Sequence, residues 1–385
     1  MTAARHRIAY LGHTASLSGG EIAFANLIAA LEGVEAHVLL AEDGPMVDRF
    51  RAAGADVEVV PLDAGSRTLH RHQVTGLGAV RPATDAVRYA SRLAGRIRRL
   101  RPDLVHTISL KSALYGGVAA RLARVPVLWS IQDRIAPDYL PGPVVTMVRS
   151  AARVLPTAII ANSSATAETL HPGRPGRARI DVVHPAVPLL PAAPPRTAPP
   201  YRVGVLGRLS TWKGQRVFLD AFAKAFAGSD AEARLIGAPL FEEEAFEAEL
   251  RDQVHRLGLE HRVELRGHRD DVAAELAELD AVVHCSTVPE PFGQVVVEAM
   301  GVGRPVIAAA AGGPLEIVTD GVDGLLTAPG DVDALAAAMA RLADDPSLAA
   351  SLVSAARATA LRFTPEVGAA KTMEVYDRVV SRRSR

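Results

Sequence analysis

The sequence predicts an α/β protein of two doubly wound, Rossmann-like domains. Three observations carry this. Short apolar runs alternate with helical patterns from residue 8 to residue 170, and again from residue 203 onward. A run holding seven prolines, Pro185-Ala-Val-Pro-Leu-Leu-Pro-Ala-Ala-Pro-Pro-Arg-Thr-Ala-Pro-Pro200, separates the two series. The length of 385 residues suits two domains of ordinary size. Alternating β and α elements imply parallel sheets, which bind ligands at the carboxyl ends of their strands.

In the first half, strands are expected at Ile8–Leu11, Ala36–Leu40, Val57–Val60, Leu104–Thr107, Val127–Ser130 and Ala158–Ala161. Helical patterns cover Gly20–Leu31, Met46–Ala53, Ala83–Leu100, Ser112–Ala123 and Ser164–Leu170. The proline run reads as an extended, semi-rigid linker. Beyond it, strands are expected at Val203–Leu206, Arg234–Ile236, Val263–Arg266, Ala281–Cys285, Val306–Ala309 and Leu325–Leu326. Helices follow at Asp331–Ala343 and on toward Arg362, with a last one at Glu366–Ser381 after Phe363-Thr-Pro365. The expected division is 1–184, a linker at 185–200, 201–363, and a terminal helix within 364–385.

Composition narrows the class. The chain is 49% apolar, enough for two cores, and its formal net charge of zero argues against nucleic acid as main partner. A single cysteine, Cys285, excludes a disulfide framework and makes a reducing compartment the default. The N-terminus shows no signal-like apolar segment, and no apolar run approaches spanning length. The expectation is a cytoplasmic protein, soluble or peripheral on the inner face of a membrane.

The chemistry concentrates in Glu290-Pro-Phe-Gly-Gln-Val-Val-Val-Glu298, where two carboxylates stand eight residues apart. Glu290 falls in a loop, Gly293 opens a helix, and Glu298 follows about one and a half turns later. A helix N-terminus favours anions. Carboxylates on both sides of it suit a ligand with hydroxyls flanking a phosphate, such as a nucleotide-sugar. Upstream, Tyr201-Arg-Val-Gly-Val-Leu-Gly-Arg208-Leu-Ser-Thr-Trp-Lys213-Gly214 reads as a strand and a strand-to-helix turn. Arg208 and Lys213 there suit phosphate binding. Only four lysines occur among the 43 basic residues, so a Lys retained in a glycine-bounded turn points to a need for it.

These residues carry a resemblance. Arg208…Lys213-Gly214, Glu290-x7-Glu298 and Ala-Gly312-Gly313-Pro-Leu-Glu316-Ile-Val…Gly321-x-x-Gly324 resemble the retaining GT-B glycosyltransferases of family 4. Leu17-Ser18-Gly19-Gly20-Glu21 and Ile159-Ile-Ala-Asn-Ser163 look like that family too. The resemblance covers nearly the whole chain. It implies a GT-B fold, with two domains facing each other across a cleft, the N-terminal one binding acceptor and the C-terminal one nucleotide-sugar. It also implies that the last helix returns to the N-terminal domain.

By the same resemblance, Glu298 bonds the ribose and Glu290 the donor sugar. The amides of Phe292, Gly293 and Gln294 meet sugar or distal phosphate. Gly19 and Gly20 face the diphosphate. Gly207, Arg208 and Lys213 line and neutralise it as it leaves, and Gly267 and His268 stand where the base is held. The departure is Trp129-Ser130-Ile131-Gln132-Asp133, where many members place a His at Gln132. Glutamine can hydrogen-bond a hydroxyl but takes no proton near neutral pH. His106, Ser109, Asp133 and Tyr139, at strand ends and in loops, are the acceptor-side candidates, together with His70-Arg71-His72. His106, at a strand end, reads more readily as a core histidine and is a secondary candidate.

Arg88, Arg92, Arg96 and Arg99 recur on one helix face opposite Ala90, Leu93, Ile97 and Leu100. They suit weak contact with an anionic membrane, or a solvated outer face. The sequence thus points to a glycosyltransferase that moves a sugar from a nucleotide donor, UDP by default, to a hydroxyl of a small molecule or glycan. Neither metal nor cofactor is called for, since Arg208 and Lys213 can balance the leaving charge. The rival readings are a nucleotide-sugar epimerase of this architecture and a non-catalytic binding subunit. A dinucleotide enzyme is disfavoured, because Ser18-Gly19-Gly20 lacks the Gly-x-Gly-x-x-Gly fingerprint.

Overall fold

The structure is a computed structural model and describes residues 6–62, 80–170, 176, 178–239 and 243–382. The chain divides into two compact units, one of Met1–Ala186 with Pro365–Arg385, the other of Val187–Thr364.

The first unit is built on seven parallel strands in the order β3-β2-β1-β4-β5-β6-β7. They are β1 (His6–Gly12), β2 (Val34–Leu40), β3 (Asp56–Val59), β4 (Leu104–Thr107), β5 (Val127–Ile131), β6 (Ala158–Ala161) and β7 (Arg179–Val182). The helices are α1 (Gly19–Ala30), α2 (Met46–Ala52), α3 (Val80–Leu100), α4 (Leu110–Ala123), α5 (Gly142–Ala152) and α6 (Ser164–Leu170). Strands β4, β5 and β6 are buried throughout, as a sheet covered on both faces requires. The strand order reverses between β1 and β4, which creates the crevice where such sheets bind ligands. Two elements escaped the sequence reading. β7 is an edge strand whose Arg179 and Asp181 break the apolar run, and α5 buries only Val145, Val148 and Ala152.

The terminal helix α14 (Pro365–Ser381) packs in this first unit through Val375, Tyr376 and Val379. Three polar ties fix it. His6 Nε2 lies 2.7 Å from Asp377, Arg378 pairs with Asp181, and Tyr376 Oη bonds both Tyr10 Oη (3.0 Å) and His106 Nδ1 (2.7 Å).

The second unit repeats the plan with six parallel strands in the order β10-β9-β8-β11-β12-β13. These are β8 (Arg202–Leu206), β9 (Glu232–Ile236), β10 (Val263–Gly267), β11 (Ala281–His284), β12 (Val306–Ala309) and β13 (Leu325–Thr327). Helices α7 (Gln215–Ala225), α8 (Glu244–Arg256), α9 (Val272–Ala277), α10 (Gln294–Val302), α11 (Pro314–Ile317), α12 (Val332–Asp344) and α13 (Pro346–Ala360) surround it. Its reversal point lies between β8 and β11. The sequence reading passed over α8, although Phe246, Leu250 and Val254 recur at helical spacing and are buried.

From Val187 the proline run belongs to the second unit and has no helix or strand. It is pinned rather than loose. Arg304, 2% exposed, gives its guanidinium to the carbonyls of Pro194 (2.9 Å), Ala277 (2.8 Å) and Leu276 (3.1 Å). Arg196 pairs with Asp280. Among the described residues no helix is long and apolar enough to cross a membrane.

Candidate functional site

The residues singled out in the second unit converge on its reversal point. The loop after β8 carries Arg208 and Lys213, and the loop after β11 carries Glu290. Lys213 Nζ lies 2.7 Å from Glu290 Oε1, closing the two loops on each other. The glycines explain how they come so close. Gly214 sits at φ 78°, and a Cβ there would collide with the carbonyl of Cys285. Gly312 and Gly313 let a third loop lie against Glu290 and Phe292, with Gly313 N donating to Glu290 O at 2.8 Å.

Glu290 is 7% exposed. Its second oxygen, Oε2, accepts from Ser286 Oγ at 2.6 Å and lies 3.3 Å from His284 Nε2. Burial alone would raise its pKa, but the Lys213 ammonium and the His284 hydrogen bond outweigh it and hold the carboxyl well below the usual range. The sequence reading gave Lys213 and Glu290 separate partners on a ligand, whereas in the protein alone they pair with each other. It missed His284 and Ser286. The signal was two polar residues at the exit of an otherwise apolar strand.

Helix α10 starts at this pair. Gly293, at φ 101°, opens it without any side-chain cap, and Gly303, at φ 84°, ends it. Glu298 stands on α10 half-buried, with no hydrogen bond or ion pair among the described residues, and burial pushes its carboxyl up to about 7. Phe292 is buried and packs edge-on to Phe363 at 5.4 Å. Arg208 Nε lies 3.7 Å from Glu243, which also takes the Ser210 hydroxyl at 2.6 Å. Lys213 lies 4.5 Å from the centroid of the Trp212 ring. Gly207 takes φ 142° after β8, and Gly267 ends β10 at φ 68°. His268 is exposed and sits 3.3 Å from Asp270.

In the first unit the polar candidates gather along the carboxyl edge of the sheet. After β1, His13 Nδ1 meets Ser109 Oγ after β4 at 2.6 Å, across that unit's own reversal point. Ser109 also caps α4 in a reciprocal box with Ser112. Burial and the Lys111 charge lower the His13 pKa to about 4, so its ring is neutral at pH 7. Gln132 follows β5, donates to Ser130 Oγ at 3.1 Å and accepts at its carbonyl from Asn162 at 3.0 Å. Tyr139 Oη donates to Asp133 at 3.2 Å. Gly19 and Gly20 open α1, and the Ser18 hydroxyl donates to Glu21.

Of the two readings of His106, the core one holds. His106 cannot face an acceptor, because it is 0% exposed. It packs at a tilt to Tyr10 and edge-on to Phe24 and Tyr376, and burial lowers its pKa to about 3. His70-Arg71-His72 lies outside the described residues. On α3 the arginines at 88, 92, 96 and 99 are exposed, while Leu93 and Ile97 on the opposite face are buried. Arg92 donates to Pro61 O at 3.1 Å and Arg96 pairs with Glu58 at 3.1 Å, as on the outer face of a core helix.

Residues 191–359 match the family described as Glycosyl transferases group 1, and residues 18–189 match Glycosyltransferase Family 4. The chain is 30% identical over 315 residues to the D-inositol 3-phosphate glycosyltransferase of Xylanimonas cellulosilytica, which covers 73% of each protein. It is 36% identical over 135 residues to an exopolysaccharide phosphotransferase of Streptomyces coelicolor, 35% of this chain and 14% of that protein. Among solved structures, HepE of Anabaena in complex with UDP and glucose superposes with a TM-score of 0.84 at 28% identity, covering 97% of this chain and 100% of that one.

Proposed function

The chain belongs to the group 1, family 4 glycosyltransferases, and on that premise we propose that it moves a sugar, with retention, from a UDP-linked donor to an acceptor hydroxyl. The observation that carries this reading is the Lys213–Glu290 pair at the mouth of α10, 2.7 Å apart, with Glu298, which has no partner among the described residues, further along that helix. Lys213 and Arg208 serve the diphosphate, whose negative charge grows as the glycosidic bond breaks. Cations preorganised there act mainly on the transition state. Once Lys213 turns to phosphate, Glu290 is released toward a hydroxyl of the sugar. Glu298 accepts from the ribose, and the amide end of α10 with Phe292, Gly293 and Gln294 meets sugar and distal phosphate. The HepE structure with UDP and glucose supports UDP as the nucleotide.

The acceptor is a small molecule or glycan presenting a hydroxyl. Ser109, Asp133 and Tyr139 on the carboxyl edge of the first unit supply its polar partners. The departing phosphate takes the acceptor's proton, so Gln132 orients rather than titrates. Arg208 and Lys213 provide the positive charge that a divalent ion would otherwise bring, and the reaction proceeds without metal.

Calorimetry with UDP, GDP and UDP-glucose tests the donor. UDP and UDP-glucose should bind, and a protein that binds no nucleotide overturns the reading. With a turnover assay in hand, Arg208→Ala and Lys213→Ala should lower kcat more than they raise KM. Activity should persist after exhaustive EDTA treatment, and restoration by a divalent ion would refute the metal-free step.

A further inference from the structure

His284 and Ser286 lie at the exit of β11 with no assigned part in the site, yet both reach Glu290. Ser286 is 1% exposed and His284 4%. The Ser286 hydroxyl has one proton, and at 2.6 Å it is directed to Glu290 Oε2. Toward the imidazole, therefore, the serine oxygen can only accept. His284 Nε2 lies 3.3 Å from that oxygen and 3.3 Å from Glu290 Oε2. It faces two acceptors, so Nε2 is assigned as the donor toward both. Among the described residues Nδ1 is buried without a partner, and the ring's hydrogen bonds there all lie on the Glu290 side.

The two oxygens of Glu290 are thus held differently. Oε2 has two donors, His284 at the end of β11 and Ser286 in the loop that follows, both on buried side chains. Oε1 has one, the Lys213 ammonium, on a flexible stem that is 21% exposed. Of the three donors, Lys213 is the most exposed one, on a flexible side chain.

We propose that His284 and Ser286 are positioning residues that clamp Oε2 of Glu290 and so present Oε1 to a hydroxyl of the donor sugar when Lys213 turns to the diphosphate. The proposal rests on the donor reading above. It makes the sugar, and not the nucleotide, the part of the ligand that senses the clamp. Without the clamp the carboxylate can rotate, and it loses donors that cost little to keep and much to lose in a buried site.

The test measures dissociation constants for UDP and for UDP-glucose by calorimetry in the parent, Ser286→Ala, His284→Leu and His284→Gln. Glutamine keeps a donor at the position of Nε2, and leucine keeps the bulk without it. UDP affinity should stay within about threefold in all four, while UDP-glucose affinity falls about tenfold in Ser286→Ala and His284→Leu and recovers in His284→Gln. Unchanged UDP-glucose affinity in Ser286→Ala and His284→Leu overturns the clamp. So does a parallel loss of UDP affinity, which marks a merely structural role. Should His284→Leu not fold, Ser286→Ala decides alone, since it removes a single buried oxygen. A parent that binds neither ligand refutes the donor reading itself, separately from the clamp.

Discussion

Lys213 Nζ and Glu290 Oε1, 77 residues apart in sequence, stand 2.7 Å from each other across the reversal point of the second sheet. Lys213→Ala leaves a buried carboxylate without its cation and should cost about 1–3 kcal/mol of stability at pH 7. The pair holds the Glu290 carboxyl low, so its contribution is fully present above the unfolded carboxylate pKa, about 4.3, and fades as pH falls through the depressed folded value. Urea unfolding at pH 7 and at lower pH should show the gap between parent and variant narrowing on the acid side. A gap that widens instead would contradict the pairing.

Glu298 has the opposite sign. Burial raises its carboxyl to about 7, so its ionised form works against the fold. That penalty is absent below the unfolded value near 4.3, grows as pH rises, and is complete above about 7. Glu298→Gln should therefore raise Tm at pH 8 and leave it nearly unchanged at pH 4.5. In the same variant UDP should bind about tenfold more weakly at pH 8, through loss of a charged acceptor for the ribose. Equal UDP affinity would remove Glu298 from the nucleotide site.

Tyr376→Phe deletes the hydroxyl that joins His106 to Tyr10 beneath the terminal helix. Among the described residues His106 Nε2 has no partner, so the variant removes the ring's one hydrogen bond there. A loss of about 1–3 kcal/mol in denaturant unfolding is expected. UDP affinity should not change, and a variant as stable as the parent would contradict the buried Tyr376–His106 bond.

Gly214 and Gly258 offer a controlled comparison. Both have positive φ, 78° and 65°, but a Cβ at Gly258 meets open space while one at Gly214 meets the Cys285 carbonyl. Gly258→Ala should cost about 1–2 kcal/mol for the left-handed backbone alone. Gly214→Ala should cost more and weaken UDP binding, because the Lys213 turn must move off β11. Equal thermal shifts for the two would show that the close approach is not rigid.

Much of this architecture was legible locally. Burial on both faces makes the parallel strands continuous apolar runs, so Leu104–Thr107, Ala158–Ala161 and Val306–Ala309 could be delimited to the residue. Gly293 and Gly303 bracket α10 because a left-handed backbone marks both its ends. Arg208, Lys213 and Glu290 could be named because they stand in loops beside glycines, and Glu298 because it follows at a fixed spacing on the helix that Gly293 opens, a pattern that resembles the family's. What the chain could not declare is who touches whom. That His106 lies beneath Tyr376 while His284 grips Glu290 follows from long-range packing. Both are histidines at the end of apolar strands, and only the helix or loop that covers each strand end tells them apart. Likewise Lys213 meets Glu290 because β8 and β11 are neighbours in a sheet whose order reverses there, and strand order is decided by how whole βα units pack, not by any residue in either loop.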